Sequence, residues 1–83
     1  MYDFRKFVLD VAVSYEEFNS DSLVNQNNDL IIIVDGQRYL IAASRLKEYY
    51  NAFKNTNIPY IEWASKTVDF ISQEIESWYK KWH

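Results

Sequence analysis

Residues 30–41 read LIIIVDGQRYLI, two apolar runs joined by the dipeptide Asp35-Gly36. Asp-Gly between apolar runs is the strongest short-range signal of a β-hairpin, because both central residues of the favoured tight turn need positive φ. A two-residue turn also fixes which residues oppose each other across the strands. The predicted pairs are Val34–Gln37, Ile32–Tyr39 and Leu30–Ile41 on one face, and Ile33–Arg38 and Ile31–Leu40 on the other.

Both faces of this hairpin are largely apolar. The pattern has two interpretations: helices cover both faces, as they do around a buried central strand, or one face is kept for a partner. We predict that helices cover both faces, and the partner-binding alternative stays open.

The segment before the hairpin predicts a helix from Asp3 to Phe18, because apolar residues recur in it at helical spacing and Asp3 is suited to the N-cap. Residues 19–28 are polar and read as a loop, which Leu23-Val24 interrupts as a very short strand. The apolar positions of the helix are Phe4, Phe7, Val8, Val11, Tyr15 and Phe18.

Two more helices are predicted after the hairpin. The first extends from Arg45 to about Lys54 with Ser44 as its N-cap, and the second begins near Tyr60 and continues almost to His83. The whole chain, residues 1–83, therefore predicts a single α+β domain: an N-terminal helix, a small antiparallel sheet and two C-terminal helices.

The last helix carries apolar residues at strict 3-4 spacing, which is a heptad seam. We predict that this seam packs against the protein's own core, and a homodimeric coiled coil is the alternative. The seam residues are Ile61, Ala64, Val68, Ile71, Ile75, Trp78 and Trp82.

The residue inventory argues against catalysis. The chain has no Cys, which rules out disulfides, thiolate nucleophiles and Cys-type zinc sites. Its one His is His83 and its one Gly is Gly36, so the sequence supports neither a His-dependent catalytic arrangement nor a Gly-rich phosphate loop. We therefore predict a non-enzymatic protein without a metal or a cofactor.

Charge and hydropathy narrow the classes of partner. The net charge is −3 and the pI is about 5.0, which disfavours direct binding to nucleic acid because phosphate contacts need a basic surface. No apolar run approaches the ~18 residues of a membrane helix.

With 18% aromatic residues, the chain has more rings than a small core hides, so some are expected at the surface, where Tyr and Trp favour interfaces. We expect a cytoplasmic protein with a protein partner.

Two rows of carboxylates recur every seven residues. The first row is Asp3, Asp10 and Glu17, and the second is Glu62, Asp69 and Glu76. Seven residues advance about 10.5 Å along a helix and nearly preserve its face, so each row predicts a line of negative charge. Such a line either offers an acidic surface to a basic groove or only keeps a helix soluble.

The hairpin tip and three aromatic residues are the other binding candidates. Asp35-Gly36 with Gln37 and Arg38 reads as a protruding recognition loop, or simply as a good turn. Aromatic anchors supply much of the affinity at protein interfaces. The candidate anchors are Tyr39, Tyr60 and Trp63.

From Asp29 to about Tyr60, under half of its length, the chain resembles the small type II-A anti-CRISPR proteins of Listeria prophages, which inhibit an RNA-guided DNA nuclease. The element order predicted above is similar to that family's as well. The resemblance implies that the hairpin turn contacts the nuclease and that an acidic cluster occupies the site that reads the DNA's recognition sequence. This chain matches the turn, but residues 55–59 read NTNIP, and Glu62 is the nearby carboxylate. The residues that carry the resemblance are Leu30–Val34, Asp35, Gly36, Tyr39, Ile41 and Ala52–Asn55.

The sequence thus favours a non-enzymatic, phage-encoded inhibitor that binds a CRISPR nuclease and blocks its DNA site. The alternative is a small phage or bacterial accessory protein that self-associates through its last helix. The predicted partner-binding residues are Asp35, Gly36, Gln37, Arg38, Tyr39, Tyr60, Glu62, Trp63, Asp69 and Glu76.

Overall fold

The computed structural model describes residues 3–16 and 21–82. The predicted order of helix, antiparallel sheet and two helices is confirmed, and the fold is α+β. The predictions for Glu17, Phe18 and His83 lie outside the described residues, as do those for the side chains of Trp78 and Trp82. The elements are α1 (Phe4–Glu16), β1 (Asp21–Val24), β2 (Leu30–Val34), β3 (Gln37–Ile41), α2 (Ala43–Lys54) and α3 (Tyr60–Trp82).

The sheet has the strand order β1-β2-β3 and is antiparallel throughout. All five predicted cross-strand pairs of the hairpin are confirmed. Asp35 has φ 52° and Gly36 has φ 78°, so both turn residues adopt the left-handed conformation that a two-residue hairpin loop requires. The local sequence therefore fixes the register of β2 against β3.

The first helix begins directly after Asp3, as the sequence predicts. The Asp3 carboxylate accepts a hydrogen bond from the backbone N–H of Lys6 at 2.7 Å, which confirms Asp3 as the N-cap. The same helix contacts β1, β2 and α3, so it forms the centre of the core. The Ser22 hydroxyl of β1 donates to the Ala12 carbonyl of α1 at 2.7 Å and ties this helix to the sheet.

The start of α2 differs from the prediction. The helix begins at Ala43 with Ala42 as its N-cap, and no side chain of Ala42 or Ser44 caps it. Instead, the Asp29 carboxylate accepts the Ala43 N–H at 2.7 Å from 14 residues earlier in the chain. The hydroxyl of Ser44 is therefore not needed, because a distant carboxylate already satisfies one of the unpaired N–H groups of the first turn.

The predicted seam of α3 is confirmed in its central part and wrong at its start. Val68 and Ile71 are buried, whereas Ile61 is 85% exposed. Trp63 takes the core position of the first turns, since its indole packs against the Phe7 ring with centroids 6.3 Å apart. Because a straight helix has 3.6 residues per turn, positions spaced seven residues apart rotate gradually around it. At the start of α3, Trp63 therefore faces the core in place of Ile61.

One face of the sheet is covered and the other is open. Leu30 and Ile32 are fully buried on the inner face, which α1 covers. On the outer face Leu40 is 63% exposed and Leu23 is 47% exposed, so the prediction that helices cover both faces is wrong. The physical reason is that the helix before the sheet and the helices after it share one core with the inner face.

Candidate protein-binding surface

The hairpin turn is an exposed site built on a rigid support. Asp35, Gly36, Gln37 and Arg38 are all exposed, and nothing lies within 4 Å of the position that a Cβ would occupy at Gly36. The turn follows directly from β2, whose Ile32 is fully buried, so its backbone is held by the core. The structure thus presents four of the predicted partner-binding residues together.

Tyr39 belongs to the same hairpin but faces the inner side of the sheet. It lies opposite Ile32 and is half-buried. Its hydroxyl donates to the Gln37 side-chain oxygen at 3.3 Å, which connects two of the β3 side chains that point to this face. A partner can reach only the outer part of this ring, so Tyr39 is less accessible than the anchor that the sequence suggested.

Among the described residues, no strand pairs with the outer edge of β3, which we call its free edge. Val34 and Gln37 flank the two-residue turn and exchange hydrogen bonds, and the exchange alternates along an antiparallel ladder. The N–H and C=O groups of Arg38 and Leu40 therefore point away from β2, at the edge of the sheet. Such an edge is a template for an additional strand from another chain.

A groove runs beside this edge. Its volume is about 350 Å³, and residues 38–41 of β3 form one wall. The opposite wall consists of Arg45 of α2 together with Glu74 and Ile75 of α3. Arg45 forms an ion pair with Glu74, and the Tyr49 hydroxyl also donates to Glu74 at 3.3 Å. Because Arg45 and Glu74 neutralise each other, the groove offers a peptide apolar contacts, the free strand edge and the positive charge of Arg38.

The acidic row of α3 exists as a surface feature. Glu62, Asp69 and Glu76 are exposed, and their spacing places them on the side of the helix opposite the buried Thr67 and Ile71. The row lies on a different element from the hairpin turn. The predicted site residues thus fall into separate groups rather than one cluster.

The acidic row of α1 is not an open surface. Asp3 serves as the helix cap, and Asp10 is bound by its neighbours. Lys6 donates to Asp10 at 2.9 Å, and the Tyr60 hydroxyl donates to it as well. Partial burial opposes ionisation of Asp10, but the hydrogen bonds from Tyr60 and Lys6 outweigh it, so the pKa of this carboxyl lies below its ordinary value.

Two of the three predicted aromatic anchors, Tyr60 and Trp63, pack against the core. Trp63 is 8% exposed, and its indole N–H donates to the Ile58 carbonyl at 2.9 Å. The Tyr60 ring packs on Trp63 with centroids 5.1 Å apart, and the ammonium of Lys6 lies 5.2 Å from the Tyr60 centroid. These contacts join α3 to the rest of the core. They bury Trp63 and leave only part of the Tyr60 ring exposed for a partner.

Titratable groups inside the protein have structural roles. Burial raises the pKa of Tyr15 to about 12, although its hydrogen bond with Ser72 acts in the opposite direction. Tyr15 also donates to the Val68 carbonyl at 3.2 Å, which ties α1 to α3. Within residues 3–16 and 21–82, no three His, Cys, Asp or Glu residues are grouped to hold a metal ion. In the same ranges, none of the helices has the length and apolarity that a bilayer crossing requires.

The outer surface of the sheet is not covered by the helices, and we call it the open face. A face left uncovered is the alternative interpretation that the hairpin sequence allows. The hairpin register shows which residues of β2 and β3 share this face, but whether helices cover it depends on how the helices pack. The groove depends on Arg45 and Glu74 meeting across 29 residues, and no local pattern signals that. The open face consists of Asp21, Leu23, Ile31, Ile33, Arg38 and Leu40.

No protein family, curated protein or solved structure gives a significant match to this chain.

Proposed function

We propose that this protein is a non-enzymatic inhibitor that binds a protein partner through the end of its β-hairpin, and that the partner is the RNA-guided nuclease of a type II CRISPR system. The observation that carries the binding function is the hairpin itself: an exposed, core-supported turn continues into a free strand edge with a groove beside it.

An edge strand with an adjacent groove suits one mode of recognition. An extended segment of a partner adds to the sheet, its backbone pairs with the outward groups of Arg38 and Leu40, and alternate side chains enter the groove. The exposed turn at Asp35-Gly36 lies at the end of this edge and contacts the partner's surface beside the added strand. Binding of this kind needs no catalytic group, in keeping with the residue inventory.

The identity of the partner rests on the resemblance of residues 29–60 to the type II-A anti-CRISPR proteins, in which the matching turn contacts the nuclease. The exposed row of Glu62, Asp69 and Glu76 adds an acidic surface that suits a DNA-binding channel. Complementary charge mainly raises the association rate, which falls as salt is added. The proposed inhibitor therefore competes with DNA for the nuclease.

Self-association through the seam of α3 has less support. Val68 and Ile71 are the centre of the seam and lie in the protein's own core. A homodimeric coiled coil would have to remove them from contacts that already bury them. The described part of α3 thus favours packing within one chain.

The test measures binding to an immobilised type II nuclease loaded with guide RNA. The unmodified protein is expected to bind, and prior DNA binding is expected to compete with it. Asp35→Ala removes the turn carboxylate and should slow association, whereas Glu48→Ala, which removes another exposed carboxylate on α2, should not. The triple change Glu62→Gln, Asp69→Asn and Glu76→Gln should slow association and reduce its dependence on salt.

Each part of the proposal would be refuted by a different result. No binding at micromolar concentration would refute the nuclease as partner. Binding that is unaffected by Asp35→Ala would move the contact away from the turn, and an unchanged salt dependence in the triple variant would remove the acidic row from the mechanism.

A further inference from the structure

The open face carries charges of opposite sign at its two edges. The register aligns Asp21, Ile33 and Arg38 in one row across the three strands, and Leu23, Ile31 and Leu40 in the next row. Asp21 and Arg38 are both exposed and lie on strands two positions apart, about 10 Å from each other. Among residues 3–16 and 21–82, neither Asp21 nor Arg38 has an ion-pair partner. Each charge therefore remains available to a second surface.

We propose that the open face binds the open face of a second copy of this chain, forming a twofold-symmetric dimer. Consider a twofold axis parallel to the strands and midway between two stacked sheets. It reverses the order of the strands and preserves position along them, so β1 of one copy lies over β3 of the other. Asp21 then faces Arg38 of the second copy, and the same contact recurs at the other edge, as an isologous interface requires.

The apolar residues complete the match. The same axis places Ile33 over Ile33 and Ile31 over Ile31 at the centre, and it places Leu23 over Leu40. Aligned sheets pack about 10 Å apart with interdigitating side chains, which the isoleucines and leucines can fill. Leu40, the most exposed apolar residue of the face at 63%, is covered by Leu23, the next at 47%. An apolar centre with a charged rim is the usual anatomy of a protein interface.

The size of the face sets the expected affinity. Six residues on three short strands bury less than a standard interface of ~1,600 Å², so the dimer is expected to be weak, with Kd in the micromolar range. The geometry leaves both hairpin turns at the same end of the dimer. The inference is independent of the nuclease, because it concerns the isolated protein.

The test exchanges the two charges. Asp21→Arg places Arg opposite Arg at both rims, and Arg38→Asp places Asp opposite Asp. Each single variant is expected to weaken dimerisation by roughly tenfold or more, because two attractions become two repulsions. An equimolar mixture of the two variants should form a heterodimer, since each Arg then meets an Asp. The double variant carrying both changes should dimerise like the unmodified protein.

Native mass spectrometry resolves the species by mass, and sedimentation velocity from about 1 µM to several hundred micromolar gives the affinities. Glu48→Arg and Lys66→Asp provide a control pair, because they change the net charge equally at exposed helix positions. These two should not alter the dimer. Circular dichroism confirms that each variant is folded.

Three results would overturn the inference. The first is an unmodified protein that stays monomeric over the whole range, which would assign the open face to a different partner. The second is a single reversal without effect on dimerisation. The third is a mixture of Asp21→Arg and Arg38→Asp that associates no better than either variant alone.

Discussion

Three isoleucines on α3 allow burial to be measured with a single kind of substitution. Ile71 is fully buried, Ile75 is partly buried and Ile61 is 85% exposed. Replacing each by Ala removes the same carbon groups from the same helix, so any intrinsic helix preference is common to all three variants. The differences in the free energy of unfolding then report the environment of each side chain.

The expected loss for Ile71→Ala follows from what is removed. Deleting three buried methyl or methylene groups at about 0.8 kcal/mol each gives roughly 2.4 kcal/mol of lost transfer free energy. The cavity that remains adds to this, and buried isoleucine-to-alanine changes span about 2–5 kcal/mol. A domain of this size has a total stability of only about 4–12 kcal/mol, so Ile71→Ala removes a large share of it. Ile61→Ala should stay within about 0.5 kcal/mol, and Ile75→Ala should fall between the two.

Urea-induced unfolding at 25 °C, followed by tryptophan fluorescence, measures these differences, since Trp63 lies in the core and reports its loss. The protein should be kept well below the micromolar range, so that association does not contribute to the measured stability. A loss for Ile61→Ala as large as that for Ile71→Ala would refute the assigned orientation of α3. A loss below about 0.5 kcal/mol for Ile71→Ala would show that this side chain is not in a packed core.

Two further predictions concern the turn and the loop before β2. Gly36→Val places a β-branched side chain at φ 78° and should cost about 1–2 kcal/mol or more, seen as a lower melting temperature; an unchanged value would contradict the two-residue turn. The pKa of Asp29 is lowered, first by the hydrogen bond from the Ala43 N–H and then by the one from the Asn25 amide. The ionised carboxylate therefore stabilises the fold at pH values above the pKa of the unfolded chain, near 3.9. This stabilisation is lost as the pH falls through the pKa of the folded protein. The stability difference between the unmodified protein and Asp29→Asn should therefore shrink below about pH 4, and a difference that stays constant with pH would exclude ionised Asp29 as its source.

Part of the candidate site could be predicted because it depends on neighbours in the chain. The Asp35-Gly36 turn, the pairing of its flanking strands and the Asp3 cap all depend on contacts between residues a few positions apart. The same holds for the exposed turn residues. The open face, by contrast, depends on the pairing of β1 with the hairpin and on the packing of the helices against the other side of the sheet.

The aromatic residues show where prediction from pattern ends. Trp63 and Tyr60 are of the residue types that often anchor interfaces. Whether such a ring faces a partner or the protein's own core depends on which residues pack against it. In this fold Phe7 contacts Trp63, and Asp10 binds Tyr60 across 50 residues. Ile61 is exposed for the same reason, because α3 is oriented so that Trp63 faces the core.

The sequence by itself determined the hairpin, its register, the order of the elements and the amphipathic character of the helices. These features follow from steric limits on φ and from side-chain periodicity, and both act within a few residues. Tertiary structure alone decided that Asp29 caps α2, that one sheet face stays open, and that Arg45 and Glu74 close a groove beside β3. Each of these joins elements distant in sequence, and their positions are set by how the helices share one core, which no local stretch of residues encodes.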